Sequence, residues 1–325
     1  MPVPDPDNWA VGPRAVGRFE GADGLLLLAV GIWGLNVSVV KFILGRFQPL
    51  ELSVLRFTVG AGIFFLIVRL REGDMRVPRR DWVLLVAAAI VGVTFNQATF
   101  VYSLRFTTAT NLSLLLTSTP VWAALAVWVG GMEWVGTRHW HGIVISMVGV
   151  CAIIVFRPGG VGVWFHLLGD ILALATAVSW AAYSVLIRPL VQRHSVFKVS
   201  AWVLLLGSLA LLPLGVPQFQ GHVLATLPPL YWAGYAYSLL AAVVLTNAFW
   251  FAGIRRLGAA RGTVYANIQP FIGVFFAGLL LHERISPLQL LGGLIVVAGV
   301  VYGRSIARAA SARTDAKEPS PGQLL

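Results

Sequence analysis

The sequence predicts an all-α integral membrane protein whose ten transmembrane helices form two inverted five-helix repeats. Three observations predict this. The 325 residues are 58% hydrophobic and only 11% charged, whereas soluble domains carry about 25% charged residues. The charges cluster in short gaps between long apolar stretches. Shifted by 150 residues, the sequence falls on itself at several of its sparse Arg, Pro, Glu and Gly positions.

Each crossing of a bilayer needs about 20 apolar residues. Only helices or closed barrels satisfy the backbone in lipid. A barrel would show short alternating segments, and runs such as 25–32 and 290–301 do not alternate. The first repeat, 24–157, holds helices at 24–44, 50–70, 82–104, 109–129 and 139–157. The second, 167–306, holds helices at 167–188, 198–216, 231–252, 260–281 and 287–306. Breakers mark the cuts: Gln48-Pro49, Val77-Pro78, Arg157-Pro158-Gly159-Gly160, Pro213 with Pro217, Pro228-Pro229 and Ser286-Pro287. Residues 1–23 contain no apolar run, so they read as a cytoplasmic segment and not as a cleavable signal peptide. Residues 307–325 read as a solvated, partly disordered cytoplasmic tail.

Charge sets the orientation. With the N-terminus inside, eighteen of the 24 Lys and Arg fall in inside gaps. Five fall outside: Lys41, Arg46, Arg105, Arg157 and Arg284. Arg56 lies within the second helix. This bias places both termini in the cytoplasm and explains the net charge of +11 without a nucleic-acid partner. The single cysteine, Cys151, excludes an internal disulfide.

At the shift of 150, Gln97 meets Asn247, Arg105 meets Arg255 and Pro120 meets Pro270. Glu133 meets Glu283, Gly142 meets Gly292 and Gly149 meets Gly299. At a shift of 147, Trp33 meets Trp180 and Lys41 meets Arg188. Five is odd, so the second copy is upside down relative to the first. Many secondary transporters are built this way, with the site near the midplane between the halves.

The layout, with Pro120…Glu133…Gly142…Gly149 and Pro270…Glu283…Gly292…Gly299, resembles the EamA-type proteins of the drug/metabolite transporter superfamily. Trp33, Trp180 and Arg56 also fit. The resemblance covers about residues 24–305. It implies a membrane carrier that exports small metabolites, amino-acid-like compounds or drugs, and it names no single substrate.

The candidate binding residues are polar or aromatic groups at mid-membrane depth, which prefer the protein interior. The first helix of each half offers Trp33 with Asn36, and Trp180 with Tyr183. The third offers Asn96 and Gln97, then Asn247 with Trp250 one turn on. The fourth offers Asn111 and Ser118, then Tyr265 with Gln269. Aromatics supply apolar area and amides supply orienting hydrogen bonds; the competing reading is glue between helices. Arg56 has two readings: it holds an anionic substrate group or gates a half, or it is structural, pairing with Glu51 or helix-end carbonyls. Pro120 and Pro270 are expected to kink their helices. Glu133 and Glu283 read as groups that bond backbone donors at the start of the next helix, or as proton-coupling sites. No Asp or Glu lies near a helix centre, which argues for a facilitator or for coupling through peripheral groups. The glycine pairs make the fifth and tenth helices packing elements or a dimer face, in a monomer or homodimer.

No cofactor is expected. The six histidines lie in gaps or at helix ends, and no HExxH, P-loop or GxSxG motif occurs. An intramembrane enzyme is therefore the weaker reading. A nucleotide-sugar or sugar-phosphate exchanger would demand several pathway cations, and only Arg56, Lys41 and Arg188 qualify. The sequence thus predicts a secondary transporter of the cell (plasma or inner) membrane, whose partners are a small-molecule substrate and the lipid bilayer.

Overall fold

A computed structural model describes residues 21–130, 137–158, 164–219, 225–257 and 265–315. Among them there are ten helices and no strand. In chain order they are α1 (Gly21–Ile43), α2 (Pro49–Arg71), α3 (Arg79–Phe106), α4 (Ala109–Val129) and α5 (Thr137–Val155). Then follow α6 (Trp164–Arg193), α7 (Val196–Gln218), α8 (229–257), α9 (Gln269–Leu281) and α10 (Pro287–Asp315). Seven are long and apolar enough to cross a bilayer. The described apolar stretches of α5, α9 and α10 are shorter: Trp140–Val155, Gln269–Leu281 and Pro287–Gly303. Helical backbone in α10 runs to Asp315, past the 306 expected from hydropathy. Its last turns hold Ala307, Ala309, Ala310 and Ala312, and alanine is the strongest helix former.

The repeat is visible in the packing. α5 lies on α10, α2 on α7 and α4 on α9. α1 packs on α8 and α9, while α6 packs on α3 and α4. Advancing every helix by five maps this pattern onto itself. The halves are therefore related by a pseudo-two-fold axis, which an odd number of helices per half turns into an inversion across the membrane.

Glycine sets the closest of these contacts. A Cβ on Gly149 would sit 2.6 Å from the Gly292 carbonyl oxygen, and one on Gly142 would sit 2.6 Å from that of Gly299. Ser146 Oγ donates to Val296 O at 3.1 Å between them. The glycine faces of α5 and α10 thus meet each other within one chain. Gly62, on α2, has nothing within 4 Å of its Cβ position. Replacing it by alanine should stabilise the helix by up to about 1 kcal/mol. Gly149→Ala should instead destabilise by about 1–3 kcal/mol through overpacking. Thermal melting in detergent should show the two midpoints moving in opposite directions.

Two irregularities recur in both halves. α3 contains a π-helical stretch, Ile90–Phe95, and α8 contains another, Tyr237–Leu245. They end at equivalent positions, just before Asn96-Gln97 and Thr246-Asn247. π-turns inside α-helices are rare and frequent at functional sites. The fourth helices also break. α4 tightens into a 3-10 turn at Leu116–Ser118 and restarts at Thr119, with Pro120 in its new first turn. α9 starts at Gln269 with Pro270 in the first turn. The sequence predicts a kink; the structure has a break, with the proline in the first turn of the restarted helix, where its missing N–H costs no hydrogen bond. The hydroxyls of Thr117, Ser118 and Thr119 donate to the carbonyls of Leu114, Leu115 and Leu116 at 2.5, 2.7 and 2.8 Å.

Candidate functional site

The centre of the molecule is crossed by a chain of polar side chains. Arg56 is only 2% exposed, and it lies on α2 between an apolar cluster containing Leu52 and Val54 and a second containing Phe57 and Ala61. Its Nη1 donates to Ser238 Oγ at 2.5 Å, and its Nη2 donates to Gln97 Oε1 at 2.8 Å. Gln97 Nε2 donates to Asn96 Oδ1 at 3.2 Å. Asn96 Nδ2 donates to Ser179 Oγ at 2.9 Å and to Thr176 O at 3.0 Å. The chain runs α8–α2–α3–α6 and joins the two halves. Neither structural reading of Arg56 as a surface group holds in this form. Glu51 is engaged with the backbone nitrogen of Gln48, at 3.2 Å, and the guanidinium turns inward.

An aromatic cluster lies beside it on α1 and α8. Trp33 Nε1 donates to Ala242 O at 3.0 Å, a carbonyl in the π stretch. Its ring centroid is 5.3 Å from that of Trp250. Tyr237 Oη donates to Ile32 O at 2.9 Å. In the other half, Tyr183 pairs with Trp180 at 5.4 Å and lies against Gly92 in the π stretch of α3, where a Cβ would collide with its ring. Each π stretch thus meets an aromatic residue at the first helix of a half, but not at equivalent positions: Trp33 corresponds to Trp180 at the shift of 147, and Tyr183 corresponds to Asn36. Asn36 is half-buried, and its Oδ1 has no hydrogen-bond partner among the described residues. Asn247 is half-buried, with Nδ2 on Val243 O at 2.5 Å.

The other sequence candidates lie elsewhere. Ser118 is fully buried and also accepts from Trp122 Nε1 at 3.0 Å. Trp180 is 42% exposed, and Gln269 is half-buried at the start of α9. Tyr265 reaches the other end of α1, where its Oη donates to Asp23 Oδ1 at 2.7 Å. Glu133 lies outside the described residues.

Asn111 belongs to a lock at the end of the molecule that carries Glu283. Glu283 accepts from the backbone nitrogens of Ala109 and Thr110, both at 2.8 Å. It was expected to serve the next helix; instead it caps α4, in the opposite half, whose first N–H groups have no partner of their own. Asp170, on α6, accepts from Thr107 Oγ1 at 2.8 Å, from Asn111 Nδ2 and from Arg157 Nη1 at 2.9 Å. Gln289, on α10, donates to Asn111 Oδ1 at 2.7 Å. Lys41 Nζ donates to the carbonyls of Leu104 and Thr107, at 2.5 and 2.7 Å. Arg188, its counterpart at the opposite end, is exposed and has no partner among the described residues. That end is tied through Asp81, which accepts from Arg193 at 2.6 Å and pairs with His194 at 2.8 Å.

Sequence reasoning passed over Asp23, Thr176, Ser179, Ser238 and Tyr237. For the last four the available signal was a hydroxyl within an apolar run, single at Thr176 and Ser179 and adjacent at Tyr237 and Ser238.

The EamA-like transporter family model matches the chain twice, over residues 21–155 and 167–302. The chain belongs to the EamA-like transporter family. It is accordingly a multi-pass membrane protein that carries a small molecule across a bilayer. Its similarity to individual family members is distant. It is 24% identical to the "Uncharacterized transporter YetK" of Bacillus subtilis, over 89% of this chain and 88% of that one. It is 27% identical to a "Probable amino-acid metabolite efflux pump" of Salmonella typhimurium, over 89% and 97%. It is 26% identical to a "Probable terminal-alkyne amino-acid exporter" of Streptantibioticus cattleyicolor, over 91% and 98%. A crystal structure of an 18% identical protein shares the fold, with a TM-score of 0.62 over 89% of this chain and 98% of that one.

Proposed function

We propose that this EamA-family protein is a secondary transporter that exports a small amphipathic metabolite, an amino-acid-like compound or a drug, by alternating access. The observation that carries the reading is the polar and aromatic cluster at the junction of the halves: Trp33, Trp250, Tyr237, Asn36, Gln97 and Asn247. Rings supply apolar contact and amides orient the solute. The inverted halves supply the two states, since each half can take the arrangement of the other. The halves are tied at both ends, around Glu283 at one and through Asp81 at the other, which supports a form closed at the Glu283 end without an opening at the opposite one. Relatives whose names mention amino-acid export support the direction and the substrate class. The charge bias supports a cell-membrane protein with both termini in the cytoplasm, which makes the Glu283 end the outer one. Asp23 and Asp170 stand near helix ends, which supports transport without a mid-membrane proton carrier. Proteoliposome flux with and without a pH gradient tests that point; uphill transport driven by the gradient alone overturns it.

Comparing metabolites in the medium of overexpressing and deleted cells tests the function. At least one aromatic or amphipathic metabolite should rise outside the overexpressing cells. Asn36→Ala and Asn247→Ala should each weaken its binding by about 1 kcal/mol, near fivefold, while folded protein stays in the membrane. Unchanged affinity in both variants rules out these amides as the binding site.

A further inference from the structure

We infer that Arg56 is an anion subsite built for one carboxylate, and that the transported molecule carries a single negative charge there. The inference rests on the central site proposed above and specifies its chemistry.

A guanidinium cannot shed its proton inside a protein, and a buried charge at membrane depth requires compensation. Among the described residues, no carboxylate bonds Arg56. Its partners, Ser238 and Gln97, are neutral, and the nearby Phe57 ring, 5.1 Å from the guanidinium carbon, is neutral as well. The pattern of use matters more than the count. Nη1 is fixed by Ser238. Nε is buried and has no hydrogen-bond partner among the described residues. Nε and Nη2 form one edge of the planar guanidinium, the parallel pair of donors that a carboxylate grips with two oxygens. One arm of that fork has no hydrogen-bond partner among the described residues. The other holds the amide oxygen of Gln97, a half-buried side chain that can turn aside for a charged competitor. Ser238 stands four residues from Ala242, whose carbonyl holds Trp33, so one stretch of α8 links the fork to the aromatic cluster.

The charge is single because the other candidate cations are elsewhere. Lys41 is spent on carbonyls at the Glu283 end, and Arg188 is exposed towards the opposite one. A phosphate dianion or a nucleotide diphosphate would find one guanidinium where it needs several.

The test uses purified full-length protein and calorimetric binding of 3-phenylpropionate, its neutral amide 3-phenylpropionamide, and phenyl phosphate. The native protein should bind the acid at least tenfold more tightly than the amide, and more tightly than the phosphate dianion. Arg56→Gln should bring the acid-to-amide ratio to within twofold of one while leaving amide affinity within twofold of native. Arg56→Lys keeps the charge without the fork and should retain part of the ratio. Equal affinities of acid and amide in the native protein overturn the inference and leave the amphipath site standing. An acid preference that survives in Arg56→Gln also overturns it. Failure of the native protein to bind any of the three removes the amphipath site and this inference together.

Discussion

Asp170→Ala should open the Glu283 end of the molecule. The Asp170 carboxylate is wholly buried and accepts from three donors on two other segments: Thr107 and Asn111 at the start of α4, and Arg157 beyond α5. Removing the acid leaves a guanidinium, an amide and a hydroxyl, all largely buried, without their shared acceptor. Breaking a buried ion pair by deleting one member costs about 3–5 kcal/mol. That is over a hundredfold in the ratio of closed to open forms. The readout is a cysteine at Ala109, which is fully buried at the first turn of α4, in a Cys151→Ser background. A membrane-impermeant maleimide should label it at least tenfold faster once Asp170 is gone. Unchanged labelling would mean that the acid supports the local fold without holding the end shut.

Glu283→Gln should act in the same direction, more weakly. The native carboxylate gives one oxygen to each of two α4 backbone amides and faces the positive end of that helix's dipole. Glutamine keeps the size, but presents an amide group where the second oxygen was. The loss is about 1–3 kcal/mol, so Ala109→Cys labelling should rise about tenfold. Because Asp170 and Glu283 hold the same turn of α4, the double variant should open by less than the product of the single effects. Full multiplicativity would mean that the two acids brace separate elements.

The helices, their inversion and the special status of the fourth helices were legible in the sequence, because each depends on local composition or on sparse residues repeated at one spacing. Pro120 and Pro270 announced a disturbance in the backbone at the right places. Its form was not legible: whether a helix kinks or restarts depends on whether Thr117, Ser118 and Thr119 can satisfy the freed carbonyls. The π stretches left no trace at all, since an extra residue in a helical turn has no composition of its own. It is held by what packs there, Trp33 on Ala242 and Tyr183 on Gly92. Partners from the other half were equally hidden. Arg56 was visible as a buried charge, but its contact Ser238 is 182 positions away. Asn111 looked like a cavity amide until Asp170 and Gln289 claimed both of its ends.

The meeting of α5 with α10 has a consequence for how the halves can change over generations. Gly149 touches Gly292 while Gly142 touches Gly299, so residue i meets j and its copy meets the copy of i. That is the isologous geometry of a two-fold homodimer, here joined covalently. In a homodimer each substitution at such a contact would appear twice; joined in one chain, each position can change alone. α2 shows the result. It packs on its own counterpart, α7, yet it carries Arg56 where α7 holds Val203 or Leu206 at the matching depth.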